Sequence, residues 1–351
     1  MAAASPTKIS TLQYALMSTP ERSVSAALDG VRRLVAKAFP ERVIVGCELL
    51  SGGYCNTNLK VIFDSNKPPA VLRIYKRDPS ACGKETELLR LLRKTVAVPE
   101  VFYAEPDPQS RVGPYAVLEF IEGVTFSQLK KTRDIEALQQ AATSVGKTLA
   151  AIGRFQFSKA GILSIDKNTR ELEVASAYIE GSDPIPRILD MYLASPNLRQ
   201  RTGEELADRL HEFIWSWAPR LPQLEGTPDR VQCLVHSDLD AGNILLREVK
   251  GKWTVVGVID WEFAFSGSPL IDVGHFLRYE RMTRPLREPY FSRAFVEHGG
   301  WLPPDWREVV RAMDLTGLCE MLTRDELPPH ALSEILSLIN ATLEGRDFQD
   351  S

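Results

Sequence analysis

The sequence predicts an α+β protein in which a small, mainly-β N-terminal lobe precedes a larger, mainly helical C-terminal lobe. The chain has 351 residues, about twice the usual length of a single domain, so two compact parts are expected. Short β-prone runs dominate the sequence before Gly123, whereas apolar residues at helical spacing dominate after it. We therefore assign residues 1–122 to a first lobe and residues 123–351 to a second.

The first lobe begins with a helical pattern and then changes to strand-like runs. Apolar residues recur at helical spacing over Ser23–Phe39, and Ser23 is a suitable N-cap. The runs that follow are separated by turn-forming segments rich in Gly, Asn, Ser and Pro. In order, they predict strands at Cys47–Leu50, Leu59–Phe63 and Ala70–Tyr75, a helix at Glu85–Lys94, and strands at Val98–Ala104 and Tyr115–Ile121.

The second lobe is dominated by helical periodicity that two strand-like runs interrupt. The helical patterns cover Ile135–Phe157, Glu204–Trp217, Trp306–Arg324 and Ala331–Leu343. The strand-like runs are Gln232–Val235 and Trp253–Ile259, and each is followed directly by a cluster of polar residues. Because catalytic residues are often carried on loops that a rigid scaffold positions, these two clusters are the first place to look for a site.

Composition and charge exclude several classes of protein. Hydrophobic residues make up 44% and charged residues 25%, which excludes a disordered or collagen-like chain. The formal net charge of −4 disfavours a nucleic-acid-binding protein, which needs a basic face. The five cysteines are scattered, and no apolar stretch is long enough to span a bilayer. We expect a cytoplasmic protein that binds neither nucleic acid nor membrane; a transit peptide is the alternative, but no Arg precedes Arg22.

The polar clusters after the two strands carry residues suited to phosphate chemistry. The first, HSDLDAGN, follows Gln232–Val235 and contains Asp238 and Asn243, five residues apart. The second begins at Asp260, at the end of Trp253–Ile259. A carboxylate and a carboxamide at two strand ends are hard oxygen ligands suited to Mg²⁺ bound to phosphates. Asp238 is suited to accept a proton from an attacking hydroxyl.

Either cluster alone is typical of a turn or a helix cap, but the two in this order resemble a known enzyme family. CLVHSDLDAGNILL and VIDWEFAFSGSPLIDVG are similar to motifs of the aminoglycoside phosphotransferase and choline kinase-like family, the small-molecule branch of the protein-kinase-like fold. The resemblance implies that Asp238 is the catalytic base and that Asn243 and Asp260 bind Mg²⁺. It also implies that Asp272 fixes the catalytic loop and that His236 has a structural role there.

The same resemblance places a nucleotide in the first lobe. The segment LSGGYCNTN lies between two predicted strands, and Gly52, Gly53 and Asn56 match the looser glycine loop of this family. Glycines allow backbone N–H groups to approach phosphates closely. An ordinary hairpin turn is the alternative interpretation of this segment.

Further candidates for nucleotide binding follow in the chain. Arg73 stands where protein kinases have a phosphate-pairing Lys, and its planar guanidinium suits phosphate oxygens. Its expected partner on the next helix is Glu85, with Glu87 as the alternative. Backbone groups around Glu119 and Ile121, where the lobes join, are expected to contact the purine edge. ATP and GTP both remain open as the donor.

The acceptor is expected to bind near Asp238, among the helices of the second lobe. Four carboxylates are candidates for contacting a cationic acceptor: Asp240, Glu262, Glu280 and Glu320. The charge distribution favours such an acceptor, since residues 1–123 carry +3 and residues 124–351 carry −7. We predict a Mg²⁺-dependent kinase that phosphorylates a hydroxyl of an aminoglycoside-like antibiotic and so confers resistance. A housekeeping kinase for choline, homoserine or a sugar, and a non-catalytic nucleotide-binding scaffold, are the alternatives.

Overall fold

The computed structural model describes residues 24–50, 56–107, 112–166, 168–169, 171–177, 184–221, 232–280 and 287–345, which form two compact units. Unit 1 consists of the chain up to Gly123 together with Ser164–Leu172 and Val256–Glu262, and unit 2 consists of the remainder. Unit 1 therefore takes in Asp260 and Glu262, which follow the predicted boundary by more than a hundred residues. That the first lobe binds nucleotide and the second carries catalysis remains a prediction.

Unit 1 is built on a five-stranded antiparallel sheet with the strand order β1-β2-β3-β5-β4. In β2 every second residue is buried, as expected where one face of a strand lies on the core. The strands are β1 (Ile44–Leu49), β2 (Thr57–Phe63), β3 (Ala70–Ile74), β4 (Val101–Glu105) and β5 (Tyr115–Glu119), and the helices are α1 (Val24–Val35) and α2 (Ala81–Leu92).

The core of unit 1 lies between the sheet and α1. Val31 and Val35 of α1 are fully buried against strand residues such as Leu59 and Leu72. The central strand β3 is buried over most of its length, so its one charged residue, Arg73, needs charged partners inside the protein.

Unit 2 is mainly helical. Gly146, on its second helix, lies so close to the first turn of another helix that an added Cβ would be 2.3 Å from the Phe291 carbonyl oxygen. A side chain at this position would therefore separate the two helices. The helices are α3 (Phe126–Thr132), α4 (Ile135–Ile152), α5 (Pro184–Leu193), α6 (Pro196–Trp217), α7 (Leu270–Leu277), α8 (Glu288–Glu297), α9 (Trp306–Thr323) and α10 (Pro329–Leu343).

Short strands position the two polar clusters. One sheet has the order β7-β10-β13-β8-β9 and the other β12-β11-β6. His236 follows β10 directly, and Asp260 comes two residues after the end of β12. The strands are β6 (Val124–Thr125), β7 (Gln156–Phe157), β8 (Gly161–Ile165), β9 (Leu172–Ser176), β10 (Gln232–Val235), β11 (Ile244–Val249), β12 (Lys252–Val258) and β13 (Phe265–Gly267).

The predicted α+β class is confirmed, with differences at element ends. The helix expected over Ile135–Phe157 stops at Ile152, because Gln156 and Phe157 instead pair with β10. The helix expected from Glu204 begins at Pro196 and contains a break at Gly203, whose φ of 71° lies in the left-handed region. Among the described helices, none is both long and apolar enough to cross a membrane.

Candidate active site

The guanidinium of Arg73 is the centre of a buried charge cluster in unit 1. Its Nε lies 3.0 Å from Glu85 Oε2, so the ion pair expected from the sequence is present. Its Nη2 contacts Asp260 Oδ1 and lies 3.5 Å from Glu262 Oε1. The Arg73 side chain is 6% exposed, so these contacts occur away from bulk water.

One cation therefore faces three carboxylates. Burial lowers the pKa of Arg73, but Glu85 and Asp260 outweigh that effect and raise it, so Arg73 stays charged. Burial raises the pKa of Glu85 despite the neighbouring Arg73. Burial likewise raises the pKa of Glu262 to about 7, against the lowering effect of Arg73.

Asp260 is held in place by the residues on either side of it. Its φ of 71° lies in the left-handed region, which turns the chain sharply after β12. The next backbone N–H, that of Trp261, donates to Glu85 Oε1 at 3.0 Å. The fully buried Trp261 ring also donates through Nε1 to the Val258 carbonyl at 3.0 Å. The Asp-Trp-Glu segment is thus fixed relative to both Glu85 and Arg73.

Asn56 joins the same cluster from the start of β2. Its Nδ2 donates to Glu262 Oε2 at 2.7 Å, and its Oδ1 accepts from the Lys76 backbone N–H at 3.2 Å. The predicted loop glycines, Gly52 and Gly53, lie outside the described residues. Assignment of Asn56 and the two glycines to nucleotide binding remains a prediction.

The predicted purine-contacting segment lies at the end of β5. Glu119 is the last residue of that strand, and its backbone N–H donates to the Glu100 carbonyl at 2.8 Å. Its carboxylate lies 3.1 Å from Arg93 Nη2. Ile121 follows two residues later and is partly buried. Both residues remain candidates for contacts with a purine.

In unit 2, Asp272 fixes the loop that carries Asp238. Its two carboxylate oxygens accept from the backbone N–H groups of His236, at 2.7 Å, and Ser237, at 2.9 Å. Ser237 has a φ of 71°, so the chain turns sharply between these contacts and Asp238. Asp272 is fully buried on α7, and burial raises its pKa to about 7 although the two N–H groups lower it.

Asp238 and Asn243 lie side by side at the two ends of this loop. Asn243 Nδ2 donates to the Asp238 carbonyl at 2.8 Å and to Asp238 Oδ2 at 3.0 Å. The Asp238 backbone N–H in turn donates to His236 Nδ1 at 3.2 Å. The loop therefore presents a carboxylate and a carboxamide from one rigid backbone segment.

Two of the four predicted acceptor-binding acids, Asp240 and Glu262, contact other groups of the protein. Asp240 accepts from the backbone N–H groups of Gly242 and Asn243, so its carboxylate caps the catalytic loop. Glu262 belongs to the cluster of unit 1, where Asn56 and Arg73 contact it. Both were predicted to lie near the acceptor because Asp240 is close in sequence to Asp238, and Glu262 to Asp260.

The other two acids are paired with arginines. Glu280 lies 2.8 Å from Arg287 Nε and also accepts from the Arg287 and Glu288 backbone N–H groups. Glu320, near the end of α9, pairs with Arg324 at 2.8 Å, just beyond the last residue of that helix. These contacts give no support to a polycationic acceptor, although the assignment itself remains a prediction.

A buried ion pair in unit 2 has no counterpart in the sequence predictions. Arg278 donates to Asp314 through Nε at 2.9 Å and through Nη2 at 2.6 Å. His275, one turn earlier, has Nε2 3.6 Å from Asp314 Oδ1. Burial and the charge of Arg278 lower the pKa of His275 to about 4, so this ring is neutral near pH 7. Arg278 and Asp314 are 36 residues apart, and no local pattern links them.

The α+β fold, the Asp272-braced loop and the Arg–carboxylate cluster are features expected of a kinase-type phosphotransferase. The sequence model of the phosphotransferase enzyme family matches residues 46–309. That match covers well over half of the chain, so the chain belongs to this family. The resemblance inferred from the two motifs is thereby confirmed.

Solved structures agree on the fold. A thermostable mutant of aminoglycoside phosphotransferase APH(4)-Ia, in complex with AMP-PNP and hygromycin B, is 18% identical with a TM-score of 0.64 over 90% of this chain and 98% of its own. The GDP and kanamycin complex of APH(2")-IIIa is also 18% identical, with a TM-score of 0.63 over 90% of this chain and 99% of its own. At this identity they establish the protein-kinase-like fold.

One curated protein that the chain resembles carries the name of a different class of enzyme. The chain is 23% identical over 245 residues to a protein named "Probable acyl-CoA dehydrogenase IBR3" from Arabidopsis thaliana. The match covers 69% of this chain and 28% of that protein. The chain thus spans little more than a quarter of the relative's length, and most of that protein lies outside the match.

Proposed function

We propose that this protein is a Mg²⁺-dependent kinase that transfers the γ-phosphate of ATP or GTP to a hydroxyl group of a small molecule. The observation that carries the proposal is the loop in which Asp272 fixes the backbone while Asp238 and Asn243 lie 3.0 Å apart. Family membership and neighbours solved with AMP-PNP or GDP support a nucleotide as the donor. The scattered cysteines support the cytoplasm as the location.

In this proposal, the residues of unit 1 bind and orient the nucleotide. Arg73, kept charged by its carboxylate partners, binds phosphate oxygens. Asp260 presents a carboxylate that is 23% exposed, more than Arg73 or Glu85 in the same cluster. In unit 2, Asp238 orients the acceptor hydroxyl and accepts its proton as the oxygen attacks phosphorus. Positioning and charge stabilisation then provide most of the rate acceleration.

The donor groups present fit Mg²⁺. Asp260 offers carboxylate oxygens, and Asn243 offers its carboxamide oxygen, since its Nδ2 is directed at Asp238. Mg²⁺ prefers such oxygen ligands and usually takes the rest from water and substrate phosphates. When bound, the ion neutralises charge on the phosphates. The described residues contain no group of three or more His, Cys, Asp or Glu side chains that could hold a metal ion without such help.

An aminoglycoside-like compound is the first acceptor to test. It is supported by the solved neighbours, which were determined with hygromycin B and kanamycin. The predicted acceptor-binding acids do not add to this support, because each contacts another group of the protein. Choline, homoserine and sugars therefore belong in the same panel. The name of the curated relative mentions acyl-CoA. Because the acceptor of a kinase needs a hydroxyl group, the panel also includes an acyl-CoA that carries one.

The test is a phosphorylation screen with Mg·ATP and Mg·GTP against this panel. We expect one class of hydroxyl compound to become phosphorylated. Asp238→Asn is expected to lower that rate by about 10²–10⁴-fold, the usual contribution of a general base. Nucleotide binding by this variant should match the wild type, because Asp238 contacts the acceptor.

Two outcomes would change the proposal. Full turnover by Asp238→Asn would remove Asp238 from its role as the base. Nucleotide binding without phosphorylation of any compound would favour the alternative of a non-catalytic scaffold.

A further inference from the structure

The contact between Asn56 and Glu262 joins two parts of unit 1 that are 206 residues apart in sequence. Asn56 directly precedes β2, and Glu262 lies two residues beyond Asp260. Both side chains are buried, Asn56 with 9% and Glu262 with 5% of its surface exposed. Each group loses its hydration when the chain folds, so burying the two together is costly unless they bond to each other.

The orientation of the Asn56 carboxamide is fixed by its two partners. Its oxygen accepts from the Lys76 backbone N–H, so its NH₂ group must point towards the Glu262 carboxylate. The donor to Glu262 is thus anchored on the backbone that follows β3, the strand carrying Arg73. Asn56 holds Glu262 at a set position relative to Arg73.

Arg73 has two carboxylates within reach of the same nitrogen. Its Nη2 contacts Asp260 Oδ1 and lies 3.5 Å from Glu262 Oε1. A carboxylate oxygen that pairs with an arginine is less available to another cation. Glu85 already pairs with Nε, so if Asp260 is to bind a metal ion, it is Nη2 that needs another anionic partner, and Glu262 is in position to provide it.

We propose that Asn56 and Glu262 act as one positioning pair that holds a carboxylate beside Arg73 and so frees Asp260 for the metal-bound nucleotide. The proposal rests on the proposed kinase function of unit 1. It gives Glu262 a role different from acceptor binding, and it gives Asn56 a role that needs no direct contact with the nucleotide. Neither residue is a catalytic residue in this scheme, since both act through Arg73 and Asp260.

The first test exchanges donor and acceptor within the pair. Asn56→Asp places a carboxylate against Glu262 and is expected to weaken binding of a Mg²⁺-bound, non-hydrolysable ATP analogue about tenfold. The double variant Asn56→Asp with Glu262→Gln restores a hydrogen bond with the donor reversed and keeps the total charge. We expect it to lose no more affinity than Glu262→Gln alone, about tenfold, because the hydrogen bond is restored while Arg73 still lacks the Glu262 carboxylate. Isothermal titration calorimetry measures all the affinities.

The second test separates charge from hydrogen bonding. Glu262→Gln can still accept from Asn56 but no longer offers Arg73 an anion. We expect the Mg²⁺ concentration needed for half-maximal nucleotide binding to rise about tenfold. Binding of the analogue without Mg²⁺ should change by less than about twofold, and the KM for the acceptor should not change. A merely structural defect would alter all three quantities.

Glu87→Gln provides the matched control, because Glu87 lies on α2 and pairs with Arg90 at the surface. It should leave every measured affinity unchanged, and thermal unfolding confirms that each variant is folded. If the double variant shows the summed losses of its two single variants, or if Glu262→Gln leaves the Mg²⁺ requirement unchanged, the positioning pair is overturned.

Failure of the proposed kinase function can be told apart from failure of the positioning pair. A wild-type protein that binds no nucleotide would overturn both the kinase function and the pair. A wild-type protein that binds nucleotide and phosphorylates an acceptor, with no coupling between Asn56 and Glu262, would overturn the pair alone.

Discussion

The two units fix their functional carboxylates by different means. In unit 1, Asp260 is held by charge, through a buried arginine that also faces Glu85 and Glu262. In unit 2, the loop carrying Asp238 is held by backbone N–H groups that donate to Asp272. The first arrangement depends on the balance of charges around one guanidinium. The second depends on the geometry of one backbone turn.

This difference has an energetic consequence. Removing Arg73 takes away the cation that the three carboxylates share, whereas removing one acceptor oxygen from a backbone turn leaves a single N–H group unsatisfied. Stability should therefore be more sensitive to Arg73 than to Asp272. Catalysis should be sensitive to both.

The largest effect on stability is expected for Arg73→Met. The substitution keeps a long apolar side chain but leaves the buried Glu85 and Glu262 and the partly exposed Asp260 without their shared cation. The free energy of unfolding should fall by about 3–5 kcal/mol in urea denaturation. The control Arg90→Met removes an exposed ion pair on α2 and should cost less than about 1 kcal/mol. Equal effects of the two substitutions would show that the cluster does not stabilise unit 1.

A smaller effect is expected for Asp272→Asn. A carboxamide has one acceptor oxygen, so one of the two N–H groups of His236 and Ser237 loses its partner. The free energy of unfolding should fall by about 2–3 kcal/mol, and kcat should fall because the loop no longer holds Asp238.

The chain offers a matched control for this change. The exposed Asp166 also accepts from two backbone N–H groups, those of Asn168 and Thr169, and water can replace it there. Asp166→Asn should therefore have little effect on stability or turnover. If Asp166→Asn and Asp272→Asn behave alike, burial of the Asp272 contacts is not what fixes the loop.

The effect expected for His275 is absent near neutral pH and appears only on acidification. An unfolded chain protonates this ring near pH 6.5, whereas the folded protein protonates it only near pH 4. Acidification from pH 6.5 to 4 therefore favours the unfolded chain, by up to about 2–3 kcal/mol at pH 4. His275→Gln should lose this part of the pH dependence, and urea denaturation at several pH values measures it. The exposed His330→Gln is the control, and a wild-type pH profile in His275→Gln would contradict the assignment.

The sequence predicted the parts of the site that lie on local patterns. Asp238 and Asp260 each follow a run of apolar residues that forms a strand, so their places in the fold could be inferred from the chain alone. The Arg73–Glu85 pair could also be inferred, because a strand and the following helix lie close together in this fold. Short strands such as β7 and β13 have too few residues to show a period.

The remaining features depend on long-range contacts that leave no local pattern. Asn56 and Glu262 are distant in sequence, and each is an ordinary polar residue in its own segment. Arg278 and Asp314 come from different helices and are buried only because they pair. Glu280 resembles a surface acid in sequence, yet folding buries it against Arg287.

The most direct test of the central claim compares Asp238→Asn with the wild type in two assays on the same protein samples. One measures the rate of phosphate transfer from the Mg²⁺-bound nucleotide to the acceptor found in the screen, and the other measures nucleotide affinity. The account predicts a rate lower by about 10²–10⁴-fold with an unchanged affinity. A variant that transfers phosphate at the wild-type rate, or one that loses nucleotide binding together with turnover, would contradict it.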